Sequence, residues 1–155
     1  MTRIPASALL LGFAGLIPFL WGALVTLGYF NGTMGDPQSG GYPKIVAPDG
    51  PLLMVRYGGI ILPFMSGALW GFATKAEGLR APAAYALSVL PALWWFLSPG
   101  MNAPSALINL MAGFGGLLIL DFVYQQWGLA PTWWLSLRVP LTIIVLICLS
   151  IGVWA

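Results

Sequence analysis

Residues 6–30 read ASALLLGFAGLIPFLWGALVTLGYF, an apolar run without a single charge, and about 20 such residues suffice to cross the hydrocarbon core of a bilayer. A cleaved signal peptide is the competing reading, because Arg3 precedes the run. The run outlasts the roughly 7–15 residues of a signal-peptide core, and Gly28-Tyr29-Phe30-Asn31 offers no A-x-A cleavage site. The stretch therefore reads as a membrane span. The rest of the chain agrees: of 155 residues, 59% are hydrophobic and 6% charged, against roughly 45–50% apolar and about 25% charged in a soluble domain. So short a chain cannot hide that excess in a core of its own.

Charges punctuate the remaining spans, since each one at mid-membrane costs about 2.5–3.5 kcal/mol. The expected spans are 6–30, 52–73, 82–97, 105–123 and 138–155, a single all-α transmembrane domain of about five helices. Arg56 sits a turn inside the second span, where its stem can snorkel toward the headgroups. Ser98 to Pro104 reads as a tight turn. The longest connection, 31–51, holds Asp36-Pro37, Gly40-Gly41, Pro43 and Asp49-Gly50 and is expected to be an irregular exported loop. Its Asn31-Gly32-Thr33 matches a glycosylation sequon that carries no weight beside the membrane.

Loop charges set the orientation. Arg3, Lys75, Arg80 and Arg138 fall on one side, Lys44 and Arg56 on the other. The positive-inside rule then places the amino terminus in the cytoplasm and the carboxyl terminus outside. Aromatic residues follow the same frame: Tyr29, Phe30, Tyr57, Trp94, Trp95, Phe96 and Trp154 at the outer boundary; Trp70, Phe72, Tyr124, Trp127, Trp133 and Trp134 at the inner one.

Lipid tails are as apolar as leucine, so helices associate there through close packing at small residues. Gly12 and Gly15 on the first span, Gly67 and Gly71 on the second, and Asn109, Gly113 and Gly116 on the fourth are expected to be helix-packing positions. Pro18, Pro63, Pro91 and Pro140 lie inside spans and should kink them. Broken transport helices and glycine hinges are the functional alternatives to packing.

Composition removes most side-chain chemistry. With no His, one Cys and four acidic residues, the chain lacks an imidazole base and a His metal or haem ligand. A net charge of +2 is too weak for a nucleic-acid footprint. No enzyme activity, cofactor, metal or nucleic-acid partner is expected. Asp121 lies near the same end of the bundle as Arg138, and the two are the candidate structural ion pair; a proton or ion relay is the sharper alternative. Arg56 sits a helix length away on the other side of the membrane, and Cys148 reads as a small core residue.

Ile4-Pro5, Leu11-Gly12-Phe13-Ala14-Gly15-Leu16-Ile17-Pro18-Phe19, Tyr57-Gly58-Gly59-Ile60-Ile61-Leu62-Pro63-Phe64 and Trp70-Gly71 resemble the bacterial integral membrane family of unknown function that includes mitochondrial transmembrane protein 69. Ser88-Val89-Leu90-Pro91, Asp121, Trp133, Leu137-Arg138 and Leu141-Thr142 extend the likeness. Pro63 stands where that family usually has serine, and Leu69 where a basic or His side chain is common. The resemblance implies a five-helix protein of the bacterial inner membrane and brings no established activity. The expected function is an accessory or assembly subunit that associates with a larger respiratory or photosynthetic membrane complex through a membrane-protein partner or as a homo-oligomer. A small oligomeric transporter or channel is the alternative.

Overall fold

A computed structural model describes residues 3–27 and 50–154. All regular structure among them is helical: α1 (Ala6–Ala14), α2 (Ile17–Thr26), α3 (Gly50–Ala73), α4 (Arg80–Leu97), α5 (Ala103–Gln126) and α6 (Trp134–Trp154). Four rods are long and apolar enough to cross a membrane: α1 with α2 taken together, α3, α5 and α6. The protein is a multi-pass membrane protein. The expected third span, now α4, does not join that set; it begins at Arg80 and carries Tyr85, Ser88 and two prolines. The loop expected over 31–51, with its sequon and Lys44, lies outside the described residues, as do Tyr29 and Phe30; only Gly50 and Pro51 are described, and they open α3.

Local hydrogen bonding explains where the boundaries moved. Asn102 caps α5: its Oδ1 accepts from the Ser105 N–H at 3.0 Å, and Ser105 Oγ accepts in return from the Asn102 N–H at 3.1 Å. This reciprocal box, with Pro104 in the first turn, starts the helix inside the stretch expected to be a turn. At the other end Gly128, at φ 74°, lets its N–H reach Gln125 O and the Leu129 N–H reach Tyr124 O at 2.9 Å. That left-handed terminus closes the last carbonyls of α5. Gln125 then accepts from the Leu135 N–H at 3.0 Å, so α6 begins at Trp134, a turn earlier than the expected start at Arg138.

The four in-span prolines do not act alike. Pro18 cannot donate a backbone hydrogen bond, and the helix is interrupted at Gly15 and Leu16, leaving Pro18 in the first turn of α2. α3, α4 and α6 continue as helices through Pro63, Pro91 and Pro140.

α3 is the organising helix and contacts α2, α4, α5 and α6. Met54, Leu62, Leu107, Leu110, Leu117 and Leu149 form the centre of the core. α1 contributes no buried residue, whereas α2 buries Phe19, Gly22, Ala23 and Val25. Two serines and a tyrosine tie α4 to its neighbours: Ser66 donates to Ser88 O, and Tyr124 to Ala84 O. Tyr124, expected in an interfacial belt, is fully buried instead.

Candidate functional site

The buried stripe of α5 runs through Leu110, Gly113, Phe114, Leu117, Asp121 and Tyr124, the three-and-four spacing of one helical face. On α6 the buried stripe is Leu137, Arg138, Leu141, Thr142, Val145 and Leu149. The two stripes face each other, so the one acid of α5 meets the one base of α6. Arg138 Nε lies 3.0 Å from Asp121 Oδ2. One turn before Arg138, Trp134 donates its indole N–H to Asp121 Oδ1 at 2.8 Å.

Both carboxylate oxygens are therefore occupied, and the carboxylate is 0% exposed. A bare charge in such surroundings would cost several kcal/mol; here a guanidinium and an indole donor offset that penalty. Arg138 is 6% exposed, and its Nη2 has no hydrogen-bond partner among the described residues. Thr142, one turn further along the same face, also leaves its Oγ1 without a partner. Cys148 lies deeper on α6, buried.

The glycines expected to pack helices separate into two groups. Gly113 lies beneath Leu62 and Trp94: an added Cβ would meet Leu62 Cδ2 at 2.6 Å and Trp94 Cδ1 at 3.1 Å. Gly12 rests on Leu141, whose Cδ1 would lie 3.2 Å from such a Cβ. Gly15 sits at the interruption between α1 and α2, and its carbonyl accepts the Tyr57 hydroxyl at 2.8 Å. Gly67, Gly71 and Gly116 meet no neighbouring element among the described residues: no atom of one would come within 4 Å of a Cβ there. The close helix contacts fall elsewhere, at Gly22 against Met54, Gly58 against Leu110, Gly59 against Trp95 and Gly152 against Met54 and Leu107. Spacing alone marks a small-residue face without saying whether the chain itself covers it.

Asn109 joins α5 to the end of α4. Its Nδ2 donates to Ser98 O at 2.9 Å, and its carbonyl accepts from Trp94 Nε1 at 2.8 Å. Trp134, Tyr57 and Gln125 are residues that sequence reasoning missed as hydrogen-bonding groups. For Trp134 a signal existed, since it lies four residues before Arg138 on the same face.

The family described as "Protein of unknown function (DUF3429)" matches residues 4–154. The chain is 32% identical over 149 residues to transmembrane protein 69 of Xenopus tropicalis, covering 94% of this chain and 53% of that protein. It thus spans about half the length of the curated relative it matches. No solved structure matches the chain.

Proposed function

We propose that this chain, which belongs to the DUF3429 family of proteins of unknown function, is a non-catalytic accessory or assembly subunit of a larger respiratory or photosynthetic complex in the bacterial inner membrane. In this reading α4 crosses the membrane as a fifth, shorter span, so that the amino terminus lies in the cytoplasm and the carboxyl terminus outside.

One observation carries the proposal: among the described residues, nothing covers the face of α3 that holds Gly67 and Gly71. Each glycine costs a helix about 1 kcal/mol relative to alanine, and no contact among the described residues offsets that cost. Along the same ridge Ile60 and Phe64 are 67% and 70% exposed. A shallow strip flanked by large apolar side chains suits the close approach of a second transmembrane helix, which in lipid depends on shape and small residues. Gly116 adds a second recess, lining a cavity of about 330 Å³ with Leu90, Pro91 and Trp94. Against a transport role, Asp121 has both oxygens engaged by Trp134 and Arg138, an arrangement that supports a structural pair over a relay.

The test is purification of the tagged protein in mild detergent, with and without Gly67→Leu and Gly71→Leu. The expected result is partner subunits in fixed stoichiometry with the parent protein and their loss from the double variant. A monodisperse lone chain, or a complex untouched by both substitutions, overturns the reading. A complex containing only further copies of this chain replaces the accessory role with a homo-oligomer.

A further inference from the structure

We infer that the turn joining α4 to α5 is a lipid anchor: Phe96, Leu97 and Met101 seat it among the headgroups and upper acyl chains of one leaflet, and the connection does not extend into water. This surface belongs to a different element from the open face of α3 and does not depend on the proposed association with a partner.

Depth is the first ground. α4 runs antiparallel beside α5, with Tyr124 donating to Ala84 O at one end and Trp94 Nε1 to Asn109 O at the other, and α5 is long and apolar enough to cross a membrane. Arg80 and Leu97 bound α4. At about 1.5 Å per residue they stand about 26 Å apart, against roughly 30 Å for the hydrocarbon core. With the Arg80 charge at one boundary, the far end of α4 falls short of the opposite boundary, and any tilt draws it deeper.

The second ground is composition. Residues 81–120 hold no Asp, Glu, Lys or Arg, so the turn and both helix ends that flank it are without charge. The turn at the other end of α4 carries Lys75 and Glu77. Phe96, Leu97 and Met101 are 77%, 74% and 101% exposed among the described residues. In water these neighbouring side chains would forfeit the hydrophobic gain that lipid returns to them. Trp94 and Trp95, just before them on α4, are of the type that favours the membrane interface.

The third ground is the backbone, because lipid offers irregular chain no hydrogen-bond partner and the protein must supply it. The Ser98 N–H donates to Trp94 O at 2.9 Å, and Ser98 O accepts from Asn109 Nδ2 at 2.9 Å. Ser105 Oγ accepts from the Met101 and Asn102 N–H groups at 3.0 and 3.1 Å, and Asn102 O accepts from the Ala106 N–H at 3.0 Å. Pro99 and Pro104 have no N–H to satisfy. Gly100, at φ 82°, folds the turn onto the start of α5, where an added Cβ would lie 2.5 Å from Ala106 N. Capped helix starts also serve proteins in water. Joined to an apolar tip without charge, this one suits a turn that lies in lipid.

The experiment introduces Met101→Cys, Leu97→Cys or Glu77→Cys singly into the full chain carrying Cys148→Ala, labels the thiol with an environment-sensitive fluorophore and reconstitutes the protein into phosphatidylcholine vesicles with iodide on both sides. Met101 is fully exposed among the described residues, so its replacement removes no packing there. The expected result at 101 and 97 is blue-shifted emission, quenching by phosphatidylcholine spin-labelled near the headgroup, and a loss of iodide quenching relative to position 77. Iodide quenching at 101 or 97 equal to that at 77 puts the turn in water and overturns the inference. Protection at 101 from both iodide and the spin-labelled lipid overturns it as well, because protein and not lipid then covers the tip.

Discussion

The Tyr57 hydroxyl donates to the carbonyl oxygen of Gly15 at 2.8 Å, joining the second turn of α3 to the point where α1 gives way to α2. Pro18 has no N–H to offer the helix there, and a side chain from 42 residues away supplies a donor to the interrupted segment instead. The same ring packs edge-on against Phe19, with centroids 5.0 Å apart. Tyr57→Phe keeps that ring contact and removes only the donor. It should lower stability in detergent by about 1–2 kcal/mol, read as a fall in the midpoint of thermal unfolding.

The Asp121–Arg138 pair lends itself to a double-mutant cycle. Asp121→Asn and Arg138→Gln should each destabilise by about 3–5 kcal/mol, because each leaves a buried charge without its partner. The double variant should lose clearly less than the sum. Strict additivity in chemical denaturation would mean that the two side chains are energetically independent.

Trp134→Phe isolates the indole donor. The ring also packs edge-on against Phe72 at 4.9 Å, a contact that phenylalanine can retain in part. Losing the N–H to Asp121 Oδ1 should cost about 1.5–3 kcal/mol, the range for a hydrogen bond to a charged group. An effect below ~0.5 kcal/mol in the same unfolding assay would refute that assignment.

Two glycines should respond in opposite directions to the same substitution. Gly22→Ala places a Cβ 2.6 Å from Met54 Cγ and 3.1 Å from the Gly50 carbonyl oxygen, so α2 and α3 must move apart, at a cost of about 1–3 kcal/mol. Gly67→Ala meets no neighbouring element within 4 Å among the described residues and should stabilise α3 by up to about 1 kcal/mol through helix propensity. Parallel melts of the two variants decide the matter.

Membrane class and all-helical architecture were legible in the sequence because they rest on long-range composition: runs without charge and the length a bilayer demands. Boundaries were less so. The start of α5 depended on Asn102 and Ser105 exchanging hydrogen bonds, and that of α6 on Gln125 reaching forward to Leu135. Each is a three-dimensional fact with only a faint local signature. Tyr124 and Trp134 are aromatic residues near span ends and suit an interfacial belt, yet one is fully buried and the other serves Asp121. Residue type and depth were readable there, while the facing helix was not. The same limit explains the glycines, for a periodic stripe fixes the side of the helix but not its neighbour.

The hydrogen-bonded terminus at Gly128 has a consequence for biogenesis. Asp121 and Arg138 are only 17 positions apart, on helices joined by a turn that closes its own backbone groups at Tyr124 and Gln125. Inserted singly, α5 would carry an unneutralised carboxylate and α6 an unneutralised guanidinium to the edge of the hydrocarbon, each at a part of the about 2.5–3.5 kcal/mol that such a charge costs at the membrane centre. Inserted as a hairpin, they arrive as a neutral package. The turn at Gly128 thereby makes α5 and α6 the natural unit of membrane integration, and the earlier helices assemble around a charge pair that never meets lipid unpaired.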